Sequence, residues 1–495
     1  MLRTPQLTSS TLCYERGAMK RLIATLAAAL AASVSAHAGD ARTTSTFPYS
    51  RAASTDADGF YDEPVGLCDD YPEETTTSAK IQRDFAAVAA TGARVLRFGM
   101  GWDGIEDRPG HYDFHLWDEV IGTAERLGVT VIPYLCYTPA WAGDDESDAW
   151  RKPPRDLQAF GRFAGVVAER YRGRVRSWEL WNEPDLEDYW RGTPDDFAAM
   201  VTFAAQQIRH ADPAAFVVLG GMARGRGPFS EAVLTRLDVG RHFDAMNLHG
   251  YLETWSPEPA EGYPARVDSM AALLPHRGKG PDLWMAEMGY SDRRSTPSEP
   301  SSGYTHAVFD YEHTPEYQAE ALIKHHVLAR AGGRLSLTAW YRINDLPLTE
   351  GVIGDDHNRH LGILDVSGAP KPSFWAMRLV SHLFDQPVRA IDARIRVERP
   401  AGSQSEVHAF ERRDGKVLVF GWLRSPPVEA EGDGAKPLTD TRRETVTITL
   451  PEDGRSLTVL DAKGDTTTTT ARLTAGTLGG VELRGDRVFI GVVAR

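Results

Sequence analysis

The sequence predicts a (β/α)8 barrel followed by a small all-β, sandwich-like domain, and three observations carry that expectation. Between Pro64 and Phe384, eight short apolar runs alternate with amphipathic stretches of helical length. The longest connections come after the runs and before the helical stretches, where the loops of a barrel's active face belong. Beyond about Gln386 the pattern changes to short alternating runs.

The strand-like runs are 65–68, 95–99, 129–136, 175–181, 216–220, 243–249, 283–287 and 337–341. Stretches such as 79–90, 116–127, 156–171, 195–210 and 316–331 carry apolar residues at three- and four-residue intervals, which is the period of a helix with one buried face. The crown loops are 138–154, 184–194, 252–263 and 291–315. In the tail, 407–412, 416–422, 445–450, 457–460 and 488–493 read as strands, with Asp414-Gly415 as a turn and 466–470 as an exposed edge. The expected division is a leader at 1–38, the barrel at 39–385 and the all-β domain at 386–495. No linker precedes the last, so it is expected to pack on the barrel rather than act as a free sugar-binding module.

With 495 residues, 42% hydrophobic and 25% charged, the chain can bury one large core and a second smaller one. A formal net charge of −14 argues against a nucleic-acid partner and against docking on anionic lipid. Met19-Lys20-Arg21, the apolar run 22–32 and Ala36-His37-Ala38 match a signal peptide cut after Ala38, with Met19 the expected start, so the protein is expected to be secreted or periplasmic. Nothing else approaches the roughly 20 apolar residues of a membrane span. Of three cysteines, Cys13 leaves with the leader; Cys68 and Cys136 are expected to be buried thiols, with a single bridge between them as the alternative. Neither has metal-site spacing, and no metal or cofactor is expected.

Chemistry concentrates at two strand ends. Trp181-Asn182-Glu183-Pro184 closes the fourth run on a carboxylate, and the seventh run closes on Glu287 before Gly289. Hydrolysis of a glycosidic bond needs two carboxyl groups flanking the anomeric carbon, about 5–5.5 Å apart for retention of configuration and about 6.5–9.5 Å for inversion. Ends four and seven of one barrel can supply them. Arg97 near the end of run two, His249 and Tyr251 at run six and Trp340 in run eight complete a ring of polar and aromatic groups.

This set resembles the active site of glycoside hydrolase clan A, whose barrels carry an Asn-Glu pair on strand four and a second glutamate on strand seven. Trp181-Asn182-Glu183-Pro184, the late all-β domain, Leu361-Gly362-Ile363-Leu364-Asp365 and Pro370-Lys371-Pro372-Ser373-Phe374 look most like family 39 and its bacterial exopolysaccharide-cleaving relatives. Ala286-Glu287-Met288 stands where some of that family have Thr-Glu-Phe, so no substrate is carried over. The resemblance implies a retaining β-glycosidase. Glu183 would be acid and then base, Glu287 the nucleophile and Asn182 a donor to the sugar 2-hydroxyl. Arg97 would hold Glu287 ionised, Tyr251 would orient it, His249 would touch sugar or carboxylate, and Trp340 would floor the sugar subsite. Glu183 should have a raised pKa, from burial and from the charge of Glu287.

A transglycosylase using the same covalent intermediate, or a non-catalytic carbohydrate-binding barrel, are the competing readings. Trp102, Trp141, Trp150, Tyr189, Trp190, Trp255 and Tyr290 crowd the crown loops as candidate sugar platforms. The acidic run 144–148 lacks the spacing of a calcium loop, and the glycine-rich 220–227 lacks a phosphate cradle's ending; the first reads as solvated loop, the second as a flexible rim.

Overall fold

In a computed structural model, residues 55–494 are described, except 145–147, 238, 275–281, 294–310, 352–355, 427–438 and 474–475. The leader, Met19, Cys13, much of the loop 291–315 and the centre of the acidic run 144–148 therefore lie outside the described residues.

Eight parallel strands close into a barrel: β1 (Val65–Cys68), β2 (Val95–Gly101), β3 (Thr130–Cys136), β4 (Ser177–Asn182), β5 (Phe216–Met222), β6 (Ala245–Gly250), β7 (Asp282–Met288) and β8 (Leu335–Tyr341). Closure comes from β1, which pairs with both β8 (Val65 with Thr338) and β2 (Gly66 with Val95). The strands alternate with α1 (Ser78–Thr91), α2 (His115–Leu127), α3 (Leu157–Arg170), α4 (Pro194–Ala211), α5 (Pro228–Arg236), α6 (Tyr263–Ala271), α7 (Pro315–Ala331) and α8 (Pro372–Leu383). Local sequence fixes the helix ends. Thr193 caps α4 through a reciprocal bond with Asp196, and Pro194 supplies the fixed φ of the first turn.

Strand parity sorts the core into two shells. Val95, Ile132, Phe216, Val218, Ala245, Trp284, Ala286 and Leu337 form one cluster inside the barrel. Their strand neighbours, such as Leu96, Val131, Val217, Met246 and Met285, join the helices in the main core. Towards the strands' carboxyl ends the inward positions turn polar, and that change builds the site.

After α8 come β9 (Val388–Ala390), β10 (Arg396–Glu398), β11 (Ser405–Arg412), β12 (Val417–Leu423), β13 (Arg443–Thr449), β14 (Gly454–Leu460), β15 (Thr466–Leu473), β16 (Thr477–Arg484) and β17 (Phe489–Ala494). They form a six-stranded sheet, β9-β11-β12-β17-β14-β15, and a three-stranded sheet, β10-β13-β16. The threonine-rich β15 is the edge of the larger sheet, whereas β9, β10 and β16 were not visible as strands in the sequence. On β12, Val417, Val419 and Leu423 face the core between the sheets, while Leu418, Phe420 and Trp422 join the barrel's own core. Phe384, just beyond α8, stacks on Phe420 with ring centroids 5.9 Å apart. The tail is thus packed directly on the barrel.

Candidate active site

Glu183 follows the end of β4, where alternation breaks down. Trp181 (φ 75°) and Glu183 (φ 46°) both adopt left-handed backbone, so Trp181 turns outward into the core while Asn182 and Glu183 both reach the barrel mouth. On β7 a register shift against β6, between the pairs Asn247–Trp284 and His249–Glu287, does the same for Glu287. Strict parity would have sent it outward, beside Met285.

The two carboxyl groups converge. One oxygen of each and a ring nitrogen of His249 lie within 4.8 Å of one another. His249 Nδ1 is 2.7 Å from Glu183 Oε1 and 3.4 Å from Glu287 Oε1. Tyr251 donates its phenol to Glu287 Oε1 at 2.6 Å, and Arg97 Nη1 donates to Oε2 at 2.6 Å. Arg97 Nη2 also donates to Asn182 Oδ1 at 2.9 Å, so the amide nitrogen of Asn182 is left to donate elsewhere. All seven residues expected at the site were Glu183, Glu287, Asn182, Arg97, His249, Tyr251 and Trp340, and the first six meet here.

Trp340 does not. On β8, Leu337 faces the barrel interior, so parity sends Trp340 outward, where its ring lies 5.7 Å from that of His325 and 6.4 Å from that of His326 on α7. Tyr341, one residue on, takes the inward position and lines the cavity. Of the other crown aromatics, Tyr189 and Trp255 line it as well. Trp102, Trp190 and Tyr290 are core residues. Gly220 and Gly221 are no flexible rim either: both are buried in β5, and a Cβ on Gly221 would fall on the His249 ring.

Two further residues were missed. Glu179, the inward position in the middle of β4, takes both remaining faces of the Arg97 guanidinium, at 2.7 and 2.8 Å. Asn247 on β6 donates to Glu179 Oε1 at 3.0 Å and accepts from the Ala286 amide at 2.8 Å. That acceptance fixes which end of the Asn247 amide is nitrogen. Its Nδ2, 3.4 Å from His249 Nε2, then makes Nε2 the acceptor and leaves the ring proton on Nδ1, between the two glutamates. A carboxylate inside the run Ser177-Trp178-Glu179-Leu180 was the available signal, since a buried charge calls for a partner.

The electrostatics follow from burial and from who shares Arg97. Burial, then the charge of Asp185, pushes Glu183 up to about 8; the charge of Glu287, expected to contribute, is not among the leading causes. Burial also raises Glu287, against the opposing pull of His249 and Arg97. Arg97 was expected to hold this group ionised, but its two-bonded partner is Glu179, whose own pKa is lowered despite burial by the Arg97 charge. Burial lowers His249, so a neutral imidazole bridges the pair near neutral pH.

The mouth opens into a cavity of about 820 Å³. Asp70, Asn182, Glu183, Tyr251, Glu287 and Tyr341 lie on its wall. Cys68 and Cys136 are both buried free thiols; Cys68 Sγ lies 3.9 Å from Glu287 Oε2. Glu183, His249 and Glu287 have the spacing of metal ligands, as do Asp292, Asp345 and His360. In the second group the Lys371 ammonium already serves as the cation, 2.7 Å from Asp292 and 3.0 Å from Asp345.

Residues 64–313 match the model of the family described as cellulase (glycosyl hydrolase family 5). A comparison with curated proteins finds no match. Among solved structures, a family 39 glycoside hydrolase from Bacteroides cellulosilyticus WH2 superposes with a TM-score of 0.64 at 17% identity, over 87% of this chain and 81% of that one. A monomeric β-xylosidase from Caulobacter crescentus CB15 gives 0.63 at 16%, over 88% and 97%. A family 30 endoxylanase from Clostridium papyrosolvens C71 gives 0.58 at 14%, over 88% and 96%. At such identities the likeness is one of fold.

Proposed function

Because this chain belongs to the cellulase (glycosyl hydrolase family 5) family, and is thus a clan A glycoside hydrolase, we propose that it is an exported retaining β-glycosidase that works by double displacement. The observation that supports the mechanism is the approach of one oxygen of Glu183 and one of Glu287 to within 4.8 Å, which is nearer the about 5–5.5 Å of retention than the about 6.5–9.5 Å of inversion.

Glu183, protonated near neutral pH, gives its proton to the glycosidic oxygen as Glu287 attacks the anomeric carbon. The aglycone leaves and a glycosyl ester forms on Glu287. Esterification removes the negative charge of Glu287, one of the two poles of the pair, and Glu183, now ionised, takes a proton from the water that cleaves the ester. The Nδ1 proton of His249 steadies whichever of the two carboxyls is negative, without a change in its own charge. The Asn182 amide donates to the sugar 2-hydroxyl. Export is supported by the basic, apolar and small-residue order of 19–38.

The test is kinetic. On aryl β-glycosides Glu287→Gln should lose about 10⁴-fold or more in kcat. Glu183→Gln should lose about 10²–10⁴-fold on a poor leaving group and much less in the first step on a nitrophenolate, with azide restoring the second step as a glycosyl azide of retained configuration. Parent-like turnover by either variant, or an inverted azide product, would remove the assignment.

A further inference from the structure

Asp70 follows β1, between the ends of β8 and β2, and lines the catalytic cavity while no step above uses it. Among the described residues no cation is in ion-pair contact with its carboxylate. Tyr134 donates its phenol to Asp70 Oδ1 at 2.9 Å, and Tyr341 donates to Oδ2 at 2.7 Å. Both phenols are themselves pinned: the Tyr134 ring lies under the Arg97 guanidinium at 4.2 Å, and the Tyr341 oxygen accepts from Arg342 Nη1 at 3.0 Å. Arg342 in turn is paired with Asp69 at 2.6 Å.

An ionised carboxylate has about four acceptor positions. Among the described residues the phenols fill two, one on each oxygen, so each oxygen retains one, and the group is half-buried at the cavity wall. Two acceptors on one rigid fork match two neighbouring hydroxyls on the edge of a sugar ring. Barrel order says which sugar. Glu183 stands at the end of β4 and protonates the departing oxygen, so the aglycone leaves on that arc. Asp70, at β1, lies on the opposite arc with Tyr341, next to the β7 nucleophile, where the glycone must sit. Glu73, Asp103 and Arg342 also line the cavity.

We propose that Asp70 is the specificity-determining residue of the glycone subsite, accepting hydrogen bonds from a vicinal pair of hydroxyls on an uncharged sugar and excluding uronic acids by charge. This rests on the glycosidase reading only for which side of the scissile bond the sugar occupies. The lock on Asp70 is what gives it discriminating power. Its position is set before substrate arrives, so a sugar lacking one hydroxyl leaves a carboxylate oxygen desolvated and short of a partner.

The experiment measures binding rather than turnover, by calorimetric titration of phenyl β-thioglycosides of glucose, galactose, mannose, xylose and glucuronic acid into the full chain and its Asp70→Asn and Asp70→Ala variants. The parent should bind at least one neutral thioglycoside at least tenfold more tightly than the glucuronide. Asp70→Asn should weaken that neutral ligand about 10- to 100-fold and bring the glucuronide to within a few-fold of it. The 3-deoxy and 4-deoxy forms of the best ligand supply the control: at least one should bind the parent more weakly, yet lose little further affinity in Asp70→Ala. Equal losses for complete and deoxy ligands would mean that Asp70 only props Tyr341. That result, tightest binding of the glucuronide, or binding of no neutral ligand overturns the proposal. Thioglycosides are not cleaved, so this outcome is separate from the Glu183 and Glu287 kinetics: failure there with hydroxyl discrimination intact here would refute the mechanism alone.

Discussion

A glutamate that keeps its proton up to about pH 8 is unusual, and Glu183 does so chiefly because water is excluded from it. If it is the acid, kcat/KM falls as pH rises through about 8, and a pH profile on a substrate with a poor leaving group reads this limb directly. Glu183→Gln should lose the limb on a nitrophenyl substrate. A second consequence concerns stability. A carboxyl whose folded pKa is raised contributes stability that is complete below its unfolded value near 4.5 and is lost as pH rises through its folded value near 8. The Tm of Glu183→Gln relative to the parent should therefore climb between about pH 4.5 and about pH 8 and level off above; a flat difference would mean that Glu183 ionises normally. At this scale the sequence revealed residues at strand ends and hid those in mid-strand. Glu183 and Arg97 stood out because a charge closes or nearly closes an apolar run. Glu179 and Asn247 sit inside such runs, and their importance depends on Arg97 and His249 arriving from other strands.

Among the elements, the eight strand-like runs were legible because apolar runs and helical periodicity alternate so regularly; observed ends differ from expected ones by one or two residues. Side-chain direction was harder to read. Parity gives the outward placement of Trp340 once β8 is known to run from Leu335 to Tyr341, and Tyr341 is the inward residue. Parity fails where the backbone departs from regularity, at Trp181, at Glu183 and at the β7 register shift, and these irregularities aim the two carboxyls at each other. β5 supports this by omission of side chains. The amide of Gly221 donates to Glu179 Oε1 at 2.9 Å, its carbonyl accepts from the Glu183 amide at 3.0 Å, and its missing Cβ leaves space for His249. Gly221→Ala should displace the imidazole and lower kcat about 100-fold, the usual scale for an ångström of misplacement. Stability should fall by about 1–3 kcal/mol, the scale of overpacking, as measured by denaturant unfolding. Unchanged kcat with a lowered Tm would show that His249 tolerates the shift.

At the scale of the whole molecule, the tail and the barrel share one core, so the β12 run 417–423 is apolar at every position: alternate residues serve different neighbours. A sequence pattern of that kind says that both faces are covered without saying by what. The polar contacts are equally specific. Glu261, in the crown loop after β6, accepts from Trp422 Nε1 at 2.7 Å and lies 3.3 Å from Lys324 Nζ of α7, which donates to Ser425 Oγ at 3.0 Å. Trp422→Phe keeps most of the apolar contact and removes one donor to a buried charge. It should cost about 1–3 kcal/mol and raise KM more than it lowers kcat, because the loop it anchors carries Trp255 into the cavity wall. Equal stability and unaltered KM would mean that the loop stands without this bond.

The grip on Glu261 also limits how this enzyme can be re-engineered. A carboxylate clasped at once by the tail and by a barrel helix works as a strut between scaffold and rim, so cutting the chain after Leu383 would not yield a minimal catalyst. Grafting an unrelated module in place of the tail would need to supply a new brace at the position of Trp422 before the rim of the cleft could keep its shape.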